Sequence, residues 1–320
     1  MASEYDSLLF AHPAYQFETC YRERGLAGTT LQTWNAEDTA AHIGLAEVFV
    51  GSGLWRNEYL EVAPNLRYVH VGAAGYDNFD VAAIRARGIR LCNSSGVNRN
   101  AVADHGMALI LSLSRQLHTA RDRQGNAQWR DMISDIPKRE DELAGKTLLI
   151  YGLGGIGEKL ARRAKAFDMR VIGIKRDTAN RPDNVDALHG PDQFLGALAE
   201  ADVVALTCPL TDQTRGLMDQ AALAAMKPSA YLINLARGAV VDEGALVAAL
   251  ADHQIAGAGL DVFDPEPLPS RSKLWGFENV VITPHTGGET QAYEKNVIDI
   301  LAENLKRLNN GDGELLNQIV

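Results

Sequence analysis

Cysteine is scarce in this chain. Cys20, Cys92 and Cys208 are odd in number and far apart, which excludes a disulfide framework, offers no zinc-ligand cluster and suits a reducing compartment. Long apolar runs are missing too: no stretch reaches the roughly 18 apolar residues that crossing a bilayer requires. The start, Met1-Ala2-Ser3-Glu4-Tyr5-Asp6, is acidic and lacks the apolar core of a signal peptide. A cytoplasmic location is expected. Basic residues are in the minority, 31 Lys and Arg against 41 Asp and Glu, for a net charge of −10. That balance argues against nucleic acid and anionic membrane as partners. It also requires an anionic ligand to be met by local cations, helix ends or backbone amides. No short repeat, low-complexity tract or charge block is found, and no metal site is expected.

What is present is ordinary in bulk, 46% apolar and 22% charged, as in soluble globular proteins. At 320 residues, two domains are the default. In the first hundred residues, Ser7 to Phe10, Val48 to Val50, Tyr68 to Val71 and Ile89 to Leu91 read as strands with helices between them. Asn100 to Arg121 reads as one long helix, apolar on most sides and therefore buried between layers. A polar segment, Asp122 to Asp141, carries Trp129. From Lys146 onward strands and helices alternate, with strands expected at Thr147–Tyr151, Arg170–Ile174, Val203–Thr207, Tyr231–Asn234, Gly257–Asp261 and Val280–Thr283. A final helix runs from about Thr290 to Leu308. The pattern predicts two α/β, Rossmann-like domains, each a doubly wound parallel sheet. A cofactor domain at 102–288 is inserted into a substrate domain made of 1–101 and 289–320, leaving a cleft where substrate would sit.

The strongest local signal is Leu148-Leu149-Ile150-Tyr151-Gly152-Leu153-Gly154-Gly155-Ile156-Gly157. An apolar strand enters G-x-G-x-x-G, Glu158 to Phe167 continue as an amphipathic helix, and the strand Met169 to Ile174 completes a βαβ unit. Gly152 permits the tight turn, Gly154 lets backbone approach a pyrophosphate, and Gly157 lets helix and strand pack closely. The helix N-terminus then offers N–H groups and partial positive charge to the anion, and Gly155 and Ile156 are expected to contact the cofactor with the three glycines.

NAD-binding units place an acid about 20 residues beyond the glycines, on the adenosine ribose. Here the strand runs into Lys175 and Arg176 instead. Two adjacent cations would attract a 2′-phosphate, with Arg176 able to grip it bidentately, which favours NADP and leaves NAD possible. The other reading is two solvated surface charges, with Asp177 as the nearby acid.

Three later segments place ionisable residues just past strands, where ligands bind in open α/β sheets. Tyr231 to Glu243 carries Arg237, the strand ending at Asp261 leads to Asp264-Pro265-Glu266-Pro267-Leu268, and Val280 to Gly288 carries His285. Reducing a 2-keto acid needs a cation for the carboxylate and polarised carbonyl, and an acid to protonate the new alkoxide. A histidine serves as that acid near neutral pH, and a paired carboxylate favours imidazolium and fixes its orientation.

With these segments and Gly72-Ala73-Ala74-Gly75-Tyr76-Asp77-Asn78-Phe79-Asp80 and Cys208-Pro209-Leu210-Thr211-Asp212-Gln213-Thr214, the chain resembles the D-isomer-specific 2-hydroxyacid dehydrogenases over nearly its whole length. The resemblance implies Arg237 as substrate-binding and polarising residue, His285 as acid/base and Glu266 as its partner. It implies that Asp261 holds the nicotinamide amide and that Cys208, Pro209, Thr214, Ala236 and Gly287 line the cofactor. Backbone amides at Val71, Gly72, Ala73 and Ala74 would take the substrate carboxylate, with Ser52 and Gly53 along the same wall. Two positions depart from the pattern: Lys175 replaces the acid of NAD-using relatives, and Asp104 stands where many relatives have Glu. Asp104 and His105 are expected to be structural, His12 and His70 to lie in solvent or core, and Trp275 to form a substrate wall or to pack. Cys208 reads as a wall residue, not a nucleophile. The Trp129 segment suits a homodimer contact. The activity implied is hydride transfer between NADPH, or NADH, and a 2-keto acid: glyoxylate, hydroxypyruvate, pyruvate or a bulkier one would all suit this apparatus. Formate oxidation is opposed by Glu266, because formate-specific relatives carry Gln there. A nucleotide-sensing scaffold such as a corepressor would be expected to lack the Arg-Glu-His set.

Overall fold

The computed structural model describes residues 5–311 and 313–320. The chain divides into two compact units, Met1–Asn98 with Thr290–Val320, and Arg99–Glu289 between them in sequence.

The first unit holds five parallel strands: β1 (Ser7–Ala11), β2 (Thr29–Thr33), β3 (Val48–Gly51), β4 (Tyr68–Val71) and β5 (Arg90–Asn93), in the order β2-β1-β3-β4-β5. Helices α1 (Phe17–Glu23), α2 (Ala36–His42), α3 (Tyr59–Val62) and α4 (Val81–Ala86) connect them, and the helix Tyr293–Asn309 returns to pack here. Both faces of the sheet are covered, so its inner strands read as continuous apolar runs. Alternate residues of β1 go to opposite cores: Leu9 and Ala11 join Phe49, Trp55 and Ile84, whereas Leu8 and Phe10 join Phe17, Val297 and Leu301. Sequence patterning missed β2, because Thr-Thr-Leu-Gln-Thr is an edge strand with only Thr33 buried.

The second unit holds α5 (Arg99–Ser114), α6 (Leu117–Gly125), β6 (Thr147–Tyr151), α7 (Gly155–Lys165), β7 (Arg170–Ile174), β8 (Ala187–His189), α8 (Phe194–Leu198), β9 (Val203–Leu206), α9 (Gln220–Ala224), β10 (Tyr231–Asn234), α10 (Glu243–Ala251), β11 (Gly257–Leu260) and β12 (Val280–Ile282). Its seven parallel strands run β12-β11-β10-β9-β6-β7-β8, and the order reverses between β6 and β9. The two sheets bear out the expected α/β class with doubly wound parallel sheets. The helix expected over Asn100 to Arg121 is interrupted: Gln116 takes a left-handed conformation, φ 50°, and α6 begins after it. The helix expected from Glu158 starts at Gly155, because Gly154 in extended conformation serves as its N-cap. The three-residue edge strand β8 carries too few residues to show a period.

Among the described residues no helix is long and apolar enough to cross a membrane, and no cluster of three metal-ligating side chains occurs.

Candidate active site

The register of the larger sheet aligns its strand ends. Ile174 pairs with Tyr151, Tyr151 with Leu206, Leu206 with Asn234, Asn234 with Leu260, and Leu260 with Ile282. Every candidate of this unit follows that line, at the carboxyl edge where open α/β sheets bind ligands.

At the reversal point the chain turns sharply. Gly152 has φ 101°, a left-handed region that side chains rarely adopt, and a Cβ there would sit 2.5 Å from the Cys208 backbone nitrogen. A Cβ on Gly157 would sit 2.6 Å from the Gly152 carbonyl oxygen, so α7 packs directly on the turn. The Thr207 hydroxyl donates to the Gly152 carbonyl at 2.8 Å and holds the turn against β9. No side chain caps α7, so its first-turn N–H groups, including those of Gly155, Ile156 and Gly157, are left for another acceptor. Gly152, Gly154, Lys175, Arg176, Cys208, Pro209 and Thr214 line one cavity of about 510 Å³. Gly154 has nothing within 4 Å of a would-be Cβ, so a side chain there would take up open space beside the turn. Asp177 does not line this cavity; its carboxylate accepts the Ala179 N–H at 3.0 Å. Thr214 is fixed by bonds to Pro209 and Thr211. Burial pushes the Cys208 thiol up to about 11, so it stays protonated and apolar in character. Sequence reasoning missed Arg99, whose Cδ lies 3.7 Å from a would-be Gly155 Cβ, which puts a guanidinium beside the first turn of α7. No motif marks it. The uncapped helix end, the cations and the cavity together fit a phosphorylated dinucleotide.

Arg237, Glu266 and His285 follow the neighbouring strands β10, β11 and β12. Gly238 presses on the backbone of Phe263 and Asp264 so closely that no side chain fits, which joins the Arg237 loop to the Glu266 loop. Arg237 donates through Nη1 to the Ala236 carbonyl at 2.7 Å. Ala236 is buried, its N–H held by the Asn234 side chain at 3.0 Å. Glu266 is clamped at both oxygens: Oε1 accepts the Phe263 N–H at 2.9 Å, and Oε2 lies 2.8 Å from His285 Nδ1. A carboxylate can only accept, so Nδ1 carries the proton and Nε2 is the nitrogen left for chemistry. His285 itself has φ 55°, an uncommon conformation for a residue with a side chain.

Asp261, 3% exposed, braces that loop. Its Oδ1 accepts the Thr283 hydroxyl at 2.6 Å and the Thr286 N–H at 3.0 Å, and its Oδ2 accepts the Gly287 N–H at 2.9 Å. His105, expected to be merely structural, reaches Thr283 Oγ1 at 2.9 Å and Asp261 Oδ1 at 3.5 Å. Asp104 pairs with Arg163 of α7 at 2.5 Å. Trp275 is 53% exposed and donates to the Pro269 carbonyl.

In the first unit the strand ends are also level: Ala11 pairs with Gly51, Gly51 with Val71, and Val71 with Asn93. The loop after β4 has its carbonyls taken up from behind. Val71 O accepts the Ser94 hydroxyl, Gly72 O the Tyr293 hydroxyl, Ala73 O the Ser94 N–H, and Ala74 O the Asn93 side chain. Gly72 N–H donates to the Gly51 carbonyl at 3.0 Å, and Val71 is a strand residue. The expectation of four available amides therefore narrows to Ala73 and Ala74, whose N–H groups have no acceptor among the described residues. Ser52 offers its carbonyl to Trp55 and Asn78, while a Cβ on Gly53 would meet nothing within 4 Å. His70 is fully buried between Tyr68 and Ser94 and is pushed down to about 3 by that burial. His12 accepts the Ala14 and Tyr15 N–H groups on Nδ1 and is pushed down to about 4, chiefly by burial.

The model of the D-isomer specific 2-hydroxyacid dehydrogenase NAD-binding domain matches residues 107–287. The chain is 41% identical over 281 residues to a glyoxylate/hydroxypyruvate reductase B of Yersinia pestis (strain Pestoides F), covering 85% of this chain and 83% of that one. It is 40% identical to a glyoxylate reductase of Pyrococcus furiosus, covering 80% and 76%. A solved NADPH-dependent glyoxylate/hydroxypyruvate reductase from Sinorhizobium meliloti, in complex with NADP and malonate, superposes with a TM-score of 0.81 at 28% identity, covering 98% and 97%. The chain belongs to the D-isomer-specific 2-hydroxyacid dehydrogenase family, NAD(P)-dependent oxidoreductases that interconvert 2-keto and 2-hydroxy acids.

Proposed function

We propose that this enzyme reduces glyoxylate and hydroxypyruvate, with NADPH as its preferred donor, and that Arg237, Glu266 and His285 carry the chemistry. The observation that carries the reading is the 2.8 Å contact of His285 with Glu266 on loops beside Arg237, on the same sheet edge as the cavity holding Lys175 and Arg176. Of the relatives named above, two are glyoxylate/hydroxypyruvate reductases and one is a glyoxylate reductase, which supports these two acids as substrates.

In this reading Lys175 and Arg176 hold the 2′-phosphate, the first-turn amides of α7 hold the pyrophosphate, and the walls are Cys208, Pro209, Thr214, Ala236 and Gly287. Asp261 Oδ2, with one donor from Gly287, retains capacity to accept from the nicotinamide amide. When bound, the reduced dinucleotide supplies a hydride to the keto carbon. Arg237 binds the substrate carboxylate and polarises the carbonyl. His285, as imidazolium, gives the Nε2 proton to the carbonyl oxygen as it becomes a hydroxyl, and Glu266 stabilises the charged ring and fixes its plane. The Ala73 and Ala74 amides take the carboxylate, with Ser52 and Gly53 on the substrate wall. Glu266 disfavours formate oxidation, and the complete Arg-Glu-His set disfavours a non-catalytic scaffold.

We also propose a homodimer. Trp129 and Met132 are 97% and 99% exposed, an unusual display of large apolar side chains in one segment. Three free thiols fit a cytoplasmic protein. The test is a panel of 2-keto acids with NADPH and NADH. Faster turnover of glyoxylate and hydroxypyruvate with NADPH supports the reading, and preference for NADH or for none of these acids overturns it.

A further inference from the structure

The geometry points to His105, on α5, as a positioning residue for the acid/base His285, acting through the Thr283 hydroxyl and Asp261. The inference rests on the proposed role of His285 and extends it to a residue outside the reacting groups.

Proton accounting fixes the direction of the relay. Thr283 has one hydroxyl hydrogen and donates it to Asp261 Oδ1 at 2.6 Å. At 2.9 Å from His105 Nε2 the same oxygen can only accept, so Nε2 carries a proton and donates it. Asp261 and His105 together fix the rotor of a hydroxyl that by itself has three positions available. Asp261 passes the constraint on, because the same carboxylate holds the Thr286 and Gly287 N–H groups. Thr283 and Thr286 bracket Pro284 and His285, so both ends of the segment carrying the acid/base group are tied to one buried carboxylate. The ring also packs against the loop: a Cβ on Gly287 would lie 3.0 Å from His105 Cδ2.

The bracing has something to oppose. His285 sits at φ 55°, where a β-carbon is disfavoured, so the segment needs tertiary contacts to keep its imidazole aimed. Glu266 holds the ring at Nδ1, and the His105–Thr283–Asp261 chain holds the backbone. Side chains that hold a functional group in place commonly matter by about ten- to hundredfold in activity.

His105→Leu and Thr283→Val should each lower kcat for keto-acid reduction about ten- to hundredfold, leave the NADPH dissociation constant within about twofold, and raise the solvent isotope effect on kcat as proton transfer becomes limiting. The double variant should be no slower than the worse single one, because both break one chain. His105→Gln keeps a side-chain N–H near the Nε2 position and should restore most of the rate. Without cofactor, amide hydrogen exchange of residues 283–288 should quicken at least about tenfold in His105→Leu and Thr283→Val and return in His105→Gln, while α7 stays protected. Multiplicative losses in the double variant, equal behaviour of Leu and Gln, or unchanged exchange in 283–288 would overturn the assignment. A wild-type enzyme inactive on every keto acid would instead remove the reading it rests on. Quickened exchange in an active enzyme whose kcat is unmoved by His105→Leu would remove the positioning role alone.

Discussion

His285 Nδ1 lies 2.8 Å from Glu266 Oε2, and the other oxygen of the same carboxylate is held by the Phe263 N–H. The carboxylate therefore cannot swing without losing a backbone bond, and the imidazole inherits that fixed orientation. Glu266→Ala removes both contacts. It should lower kcat about a hundredfold while moving the NADPH dissociation constant little, as stopped-flow turnover and cofactor fluorescence titration will read.

Arg237→Lys keeps the charge but loses the planar fork that grips a carboxylate bidentately. We expect kcat/KM for glyoxylate to fall about a hundredfold in Arg237→Lys and further in Arg237→Ala, the scale typical of losing a preorganised donor at a developing oxyanion. Steady-state kinetics of the two variants check this, and near-wild-type activity in Arg237→Ala removes the residue from the chemistry.

Lys175 and Arg176 line the cavity beside the Gly152 turn, whereas the Asp177 side chain is engaged in its own turn. Changing both cations to Ala should weaken NADPH about a hundredfold or more, since each hydrogen bond to a charged group contributes about 1.5–3 kcal/mol. NADH should change by less than about threefold. Equal responses of the two cofactors in a binding titration would show that these cations do not read the phosphate.

Gly152→Ala places a methyl group at φ 101°, 2.5 Å from the Cys208 backbone nitrogen. The variant should lose about 1–3 kcal/mol of stability from backbone strain alone, with weaker NADPH binding as the turn shifts. Denaturant unfolding and a cofactor titration measure both.

Burial sets His70 to about 3 and His12 to about 4, the latter pulled partly back by Glu294, whereas both titrate near 6.5 when unfolded. Between those values the unfolded chain binds protons that the folded chain does not, so stability is lost as pH falls from 6.5 toward 3 to 4. Thermal melts at pH 7.5 and 5 should show a lower Tm at pH 5, and the drop should be shallower in His70→Gln. An unchanged dependence in that variant would show that His70 is not one of the groups responsible.

How much of this was legible in the sequence depended on where each residue sits in the sheets. Strands β6, β7 and β10 are apolar runs buried on both sides, and they were read with their observed limits. The edge strands β2 and β8 face solvent and carry little apolar patterning, so no period exposed them. The break at Gln116 could not be anticipated, because its left-handed conformation uses neither glycine nor proline. The glycine turn and the Arg, Glu and His loops were legible because their chemistry is local to short segments. His105 was not: its partners, Thr283 and Asp261, lie far along the chain, and a histidine amid apolar helix residues looks like packing. Arg99 escaped for the same reason.

The most direct measurement is turnover of hydroxypyruvate with NADPH by His285→Ala beside the wild-type enzyme, with NADPH affinity determined for both. We expect a fall of about 10²–10⁴ in kcat with affinity nearly unchanged. Undiminished turnover in the variant would contradict it.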